Sequence, residues 1–147
     1  FRFKNFKVLL DYAHNAAGLR GLQNMISQME GSPKIGMIAG IGDRRPEDNH
    51  EIGAVAAEAF DEIIIRQDKN LRGKTEEELI EMIHEGIRSV DPNKKVTIIP
   101  SEEEAITFAI TNATKGSLLV FCSDVVPDAL NLVMKFKEEE SKQLAEI

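Results

Sequence analysis

Short apolar runs, each about as long as one strand, alternate with amphipathic segments along the whole chain, and this alternation restricts the fold more than any other feature. The runs are Lys7–Asp11, Lys34–Ile41, Glu62–Arg66, Val96–Pro100 and Ser117–Cys122. They are rich in Ile, Val and Leu without polar alternation, the pattern of parallel strands covered on both faces. Between them the apolar positions recur at helical spacing. Leu19, Leu22, Ile26 and Met29 share one face, as do Ile52, Val55, Ala56 and Ala59. Leu79, Ile83, Ile87 and Val90 form a third stripe, and Ile106, Ala109, Ile110 and Ala113 a fourth. Thr75 with Glu78 and Ser101 with Glu104 have capping-box spacing at two helix starts. A last helix is predicted from Ser123-Asp124, with Pro127 tolerated in its first turn, into the charged residues Glu138–Glu140.

Repeated strand–helix–strand units with right-handed crossovers predict an α/β fold: an open, doubly wound, mostly parallel sheet, Rossmann-like, with helices on both faces. The 147 residues suit a single domain, 1–147. A net charge of −7 argues against non-specific nucleic-acid binding. No stretch approaches the roughly 20 apolar residues of a membrane span, so no membrane association is expected. The single cysteine, Cys122, ends an apolar run and is expected to be a buried, inert thiol in a reducing cytoplasm. The chain opens Phe1-Arg2-Phe3-Lys4 rather than with Met, and is expected to be a fragment of a longer polypeptide. A homo-oligomer is left open.

In doubly wound sheets ligands bind beyond the carboxyl ends of the strands, which directs attention to the loops after each run. Asp11-Tyr12-Ala13-His14-Asn15-Ala16-Ala17-Gly18 offers a carboxylate, an imidazole and an amide, groups suited to a nucleoside. Asn15 acting only as a helix cap, with His14 on the surface, accounts for the same spacing. Gly40-Ile41-Gly42-Asp43-Arg44-Arg45-Pro46 lets backbone approach a ligand beside an acid and two bases, or is a glycine turn with solvated charges. It lacks the third glycine of a dinucleotide fingerprint, since Arg45 stands there. Gly73-Lys74-Thr75 ends like a phosphate-binding loop, but Asp68 occupies the place of its first glycine, so that motif is rejected. Asp68 and Arg72 could grip the charged groups of an amino acid, or belong to a charged turn. Ser123–Asp128 completes the set of strand-end loops.

His50 and His84 fall within predicted helices among acids, and neither has a His or Cys at metal-ligand spacing. No metal site is expected. There is no Gly-x-Ser-x-Gly elbow, and Cys122 has no evident His partner in the sequence pattern. Residue chemistry alone therefore describes an α/β domain with a polar rim at its strand ends.

Asp-Tyr-Ala-His-Asn at 11 to 15, after Val8-Leu9-Leu10, resembles the Asp-Tyr-Ala-His-Asn-Pro signature of the Mur ligase carboxy-terminal domain. Gly42-Asp43-Arg44-Arg45 resembles the Gly-Asp-Arg segment of that domain, and the stretch from Ile63 to Gly73 is similar to the one typical of cyanophycin synthetases within the same family. Gly18 with Leu19 and Arg20 fits that group. The motifs lie in the family's order across essentially the whole chain.

The resemblance implies an ATP-dependent, ADP-forming ligase in which ATP phosphorylates a carboxylate and an amine attacks the acyl phosphate to give an amide. It implies that the phosphate loop and most Mg2+ ligands lie on a separate central domain, and that this domain alone is inactive. Asp11, His14 and Asn15 would contact ATP, Asp43 and Arg44 would lie toward the reacting centre, and Asp68, Asn70 and Arg72 would receive the amino acid. In related muramyl-peptide ligases that last loop reads Asp-Asn-Pro-Arg; Lys69, Asn70 and Leu71 break the pattern here. Ala16 replaces the proline that ends the first motif, removing a preset φ at the first helical position. The similarity to cyanophycin synthetases implies arginine as the incoming amino acid and a poly-aspartate acceptor, with Asp43 and Asp68 candidate partners of the guanidinium. The alternatives are a muramyl-peptide or folyl-polyglutamate ligase domain, and a nucleotide-binding module without catalysis.

Overall fold

The computed structural model describes residues 1–13, 15–39, 46–66, 76–123 and 126–145. Five strands alternate with five helices: β1 (Lys7–Asp11), α1 (Ala16–Ser27), β2 (Lys34–Ala39), α2 (Pro46–Ala59), β3 (Glu62–Arg66), α3 (Glu76–Val90), β4 (Lys95–Ile98), α4 (Glu102–Thr111), β5 (Leu118–Cys122) and α5 (Val126–Ala145). The strands form one sheet in the order β1-β5-β2-β3-β4, and every pairing is parallel. The predicted doubly wound sheet is therefore observed.

Side-chain alternation along the strands divides the core in two. One cluster unites Ile38, Ile63, Ile65, Leu118 and Val120 with Leu19, Leu22 and Ile26 of α1, Ile52, Val55 and Ala56 of α2, and Ile83 and Ile87 of α3. The other unites Met37, Ile64, Leu119 and Phe121 with Ala105, Ile106 and Ala109 of α4, and Ala129 and Val133 of α5. Three helices thus cover one face and two the other.

The α2–α3 contact depends on glycine. A Cβ on Gly86 would lie 1.9 Å from the His50 carbonyl oxygen, and one on Gly53 would lie 2.1 Å from that of Ile83. Backbone meets backbone here, closer than any side chain allows. Gly36 similarly lies against the Phe60 ring, 2.3 Å from where its Cβ would stand.

Several sequence expectations need adjusting. Met29 lies beyond the end of α1 and is only partly buried. Val90, assigned to the buried stripe of α3, is 42% exposed because it falls in the last turn, past the sheet. The fourth run pairs one residue earlier and ends at Ile98, although Ile99 N–H still donates to the Ile65 carbonyl. It is the edge strand, exposed at both ends, so continuous apolar sequence there does not mean two covered faces. Ser101 caps α4 through the Glu104 N–H at 3.3 Å, half of the predicted capping box. Thr75 lies outside the described residues, as do positions 40–41 at the predicted end of the second run and 124–125 at the predicted start of the last helix.

The outer edge of β1 is covered by the amino-terminal residues. Val8 N–H donates to the Phe1 carbonyl at 2.8 Å and Phe3 N–H to that of Phe6 at 2.9 Å, closing a short antiparallel turn. Phe3 and Phe6 stack with ring centroids 4.6 Å apart, and the Lys137 ammonium lies 5.3 Å from the Phe3 centroid.

Candidate functional site

β1 and β5 are neighbours whose following helices pass to opposite faces, α1 to one and α5 to the other. Such a reversal leaves a crevice beyond the carboxyl ends of the two strands. Asp11 ends β1 at this place, in register with Cys122, and its carbonyl accepts from Ser123 N–H at 3.0 Å.

The loop after β1 is held by its own polar side chains. Asp11 Oδ2 accepts from Ala13 N–H at 2.9 Å, a local turn that half-buries the carboxylate and holds it at the strand end. Asn15 is the cap of α1, with extended backbone, and its Oδ1 accepts from Gly18 N–H at 2.7 Å. A Cβ at position 18 would lie 3.1 Å from that oxygen, so glycine keeps the cap uncrowded. The capping reading of Asn15 is thus realised, and its amide Nδ2 is the group left for a ligand. Ala16 opens the helix where the family motif has proline, so the cap sets the start of α1 without that ring.

Arg66 introduces a cation that the sequence reading took only as the end of the third run. It ends β3 and is 5% exposed. Its Nη2 donates to the Cys122 carbonyl at 3.1 Å, reaching across the end of β2, and its Nε lies 3.6 Å from Glu102 Oε1 of α4. Its position as the one charge closing an Ile-Ile-Ile run was a usable signal. Glu102 offered none, because only the fold brings the start of α4 to the end of β3.

Cys122 ends β5 beside Asp11 of β1, and its carbonyl accepts from Arg66. Burial chiefly, and then the Asp11 carboxylate, raise its thiol from 9.0 to about 12, against an opposing pull from Arg66. The thiol stays protonated at neutral pH, in accord with the inert cysteine expected from the sequence.

On the α4–α5 side of the same strand ends lies a cleft of about 650 Å3, lined by Arg66, Ser101, Glu102, Asp128, Asn131 and Lys135 among others. Acids and bases of both signs line it, a composition suited to a zwitterion. Of the sequence-predicted site residues, Asp11 and Asn15 are described and share the loop at the crevice. His14, Asp43, Arg44, Asp68, Asn70 and Arg72 lie outside the described residues. The segments carrying five of them leave the sheet after Ala39 and Arg66, which are register partners on adjacent strands. Among the described residues no three His, Cys, Asp or Glu side chains form a metal cage, and no helix is long and apolar enough to cross a membrane.

A family model described as Mur ligase, glutamate ligase domain, matches residues 2–125. Cyanophycin synthetase of Geminocystis herdmanii is 35% identical over 136 residues, which cover 92% of this chain and 15% of that protein. The chain thus spans about 15% of the length of the cyanophycin synthetases it matches. A solved structure of UDP-N-acetylmuramoyl-L-alanyl-D-glutamate--2,6-diaminopimelate ligase matches with a TM-score of 0.72 at 20% identity, over 83% of this chain and 24% of that one. E. coli FolC in complex with ADP matches with a TM-score of 0.67 at 17% identity, over 89% and 29% of the two chains. At such identities the solved structures share the fold.

Proposed function

Because this chain belongs to the Mur ligase, glutamate ligase domain family, we propose that it is the carboxy-terminal domain of a cytoplasmic, ATP-dependent, ADP-forming amino-acid ligase that forms an amide through an acyl phosphate. The observation that carries this reading is the match to the family model over residues 2–125, which includes the loop at the β1–β5 crevice. There Asp11 and the Asn15 amide suit the hydroxyls and base of a nucleotide, a role that His14 would share. Asp43 and Arg44, in the segment after β2, would serve the reacting centre. Asp68, Asn70 and Arg72, in the segment after β3, would receive the amino acid. Mg2+ would be held mainly by ligands outside this domain, where it would neutralise charge on the transferring phosphoryl group.

The finer reading is a cyanophycin synthetase that adds L-arginine to aspartate side chains of a poly-aspartate backbone, supported by 35% identity over most of the chain. A central domain carrying the phosphate loop would be its partner, and the isolated domain would be inactive because most phosphate contacts are made elsewhere.

ADP release by the protein carrying this domain, supplied with arginine and a short aspartate primer, tests both levels. Arginine-dependent release that disappears in Asp11→Ala and His14→Ala variants is expected. Release that follows another amino acid would keep the ligase and replace its substrate, favouring a muramyl-peptide or folyl-polyglutamate type. No release with any amino acid would favour a nucleotide-binding module without catalysis.

A further inference from the structure

The opposite end of the sheet carries a second cleft, of about 690 Å3, lined by Arg2, Lys4, Lys7, Glu30, Ser32 and Ser117 among others. Residues 1–7 hold three cations and no acid, in a chain whose net charge is −7. Arg2 and Lys7 are antiparallel bridge partners. The pairs on either side, Phe1 with Val8 and Phe3 with Phe6, are hydrogen-bonded through their backbones. Arg2 and Lys7 therefore form the close, non-hydrogen-bonded kind of pair, in which side chains stand nearest. Like charges directly opposed destabilise a strand pair. No ion pair offsets them among the described residues, and Glu30, the acid of the cleft, joins neither.

The turn that presents these cations is firmly held. Lys7 N–H donates to the Ser117 carbonyl at 3.0 Å, Gly116 N–H to that of Asn5 at 2.7 Å, and Ser32 N–H to that of Gly116 at 2.8 Å. Lys4 N–H donates to Glu140 Oε1 of α5 at 3.0 Å. Gly116 has φ +90°, which glycine adopts without strain and which lets this corner close. The cluster is thus a preformed cationic surface whose three side-chain cations form no ion pair among the described residues, with Glu140 held at the Lys4 backbone and Glu30 at the edge of the cleft.

We propose that this cleft binds a carboxylate-rich peptide chain and anchors the acidic acceptor polymer away from the reacting end. The guanidinium of Arg2 and the ammonium groups of Lys4 and Lys7 provide charge-assisted donors for successive carboxylates. Lys7 and Asp11 are the two ends of β1, about 13 Å apart at ordinary strand rise. An extended acceptor of about five residues covers that distance. The choice of a carboxylate-rich peptide over other polyanions rests on the ligase reading above; the cationic cleft itself does not.

Fluorescence anisotropy of a labelled oligo-aspartate titrated with the chain tests the assignment. Binding that weakens as salt rises is expected, with affinity falling about tenfold or more in the Arg2→Gln, Lys4→Gln, Lys7→Gln triple variant. Lys4→Glu alone, which leaves the Arg2–Lys7 pair intact, should weaken it as well. Arg88→Gln, on α3 across the sheet and paired with Glu81, should not. Unchanged binding in the triple variant, equal loss in Arg88→Gln, or no binding by the parent chain would overturn the cleft. Equal affinity for polyphosphate or single-stranded DNA would overturn the assignment to a carboxylate polymer. The ADP-release assay on a minimal acceptor too short to span from Asp11 to Lys7 separates the two proposals: the triple variant should retain that activity, and arginine-dependent release alongside unaltered oligo-aspartate binding would sink the anchor while leaving the ligase standing.

Discussion

The two faces of the sheet solve the burial problem differently. On the α1–α2–α3 face the core is apolar apart from Asn49, fully buried on α2 with its Nδ2 3.9 Å from Met82 Sδ of α3, and the two helices approach until the backbone at Gly53 and Gly86 meets the facing helix. On the α4–α5 face, the buried Arg66 guanidinium lies beside the partly buried Glu102 carboxylate above an apolar layer, next to a cleft. The first face is drawn tight by backbone contact and holds no buried charge among the described residues. The second gives up close packing at the strand ends and gains charges aimed into a space that a ligand could enter. A frame on one side and a polar opening on the other is a division of labour suited to a domain that must hold strand-end loops in register.

The largest effect that would sharpen this contrast is expected from Gly86→Ala. The new methyl would meet the His50 backbone, which cannot rotate away, so α3 must shift as a whole. A loss of about 3 kcal/mol or more is expected from overpacking between two backbones, read by urea denaturation. A loss below about 1 kcal/mol would mean that the α2–α3 face yields more easily than its geometry implies.

Glu102→Ala comes next. Removing the Glu102 carboxylate takes one counter-charge from the buried Arg66 guanidinium, at a cost of about 1–3 kcal/mol with the Arg66 bond to the Cys122 carbonyl kept. Replacing both, as Arg66→Met with Glu102→Met, should recover most of this loss. Recovery would identify the pair as a feature retained for the cleft rather than for stability, while a double variant no more stable than the single one would erase that distinction between the faces. Ser101→Ala should cost about 1 kcal/mol by removing the cap of α4, a check that the α4 side is otherwise ordinary.

Cys122 gives the smallest effect at neutral pH, where its alkylation by iodoacetamide should be suppressed until the protein unfolds. Its folded pKa, about 12, lies above the ordinary 9.0. The unfolded chain therefore loses this proton first as pH rises, and the stabilisation is complete below about pH 9 and lost as pH climbs through about 12. Chemical denaturation across that interval, with Cys122→Ala as reference, should show a steeper decline for the parent protein. Parallel declines would show that the thiol is not held protonated by the fold.

Much of the frame was legible from local pattern. All five apolar runs became strands, the inner three, β5, β2 and β3, buried on both faces as continuous Ile, Val and Leu imply, and the helical stripes of α1, α2 and α4 faced that sheet as their spacing required. Val90 shows the limit of such reading: periodicity gives the face of a helix but not where the sheet beneath it stops. At the candidate site, Asp11 and Asn15 were legible because a strand end followed by a cap is a local event.

The sequence by itself determined the alternation of elements, the apolar faces of its helices, the cap at Asn15 and the family resemblance, since each depends on residues within a few positions of one another. Only the tertiary structure decided that β5 returns between β1 and β2, that Gly53 and Gly86 face another helix, and that Arg66 meets Glu102. It likewise decided that Arg2 and Lys7 stand opposed across a closed turn. The physical reason is the same in each case: these contacts join residues on different elements, and their energies arise only when the sheet order brings those elements together.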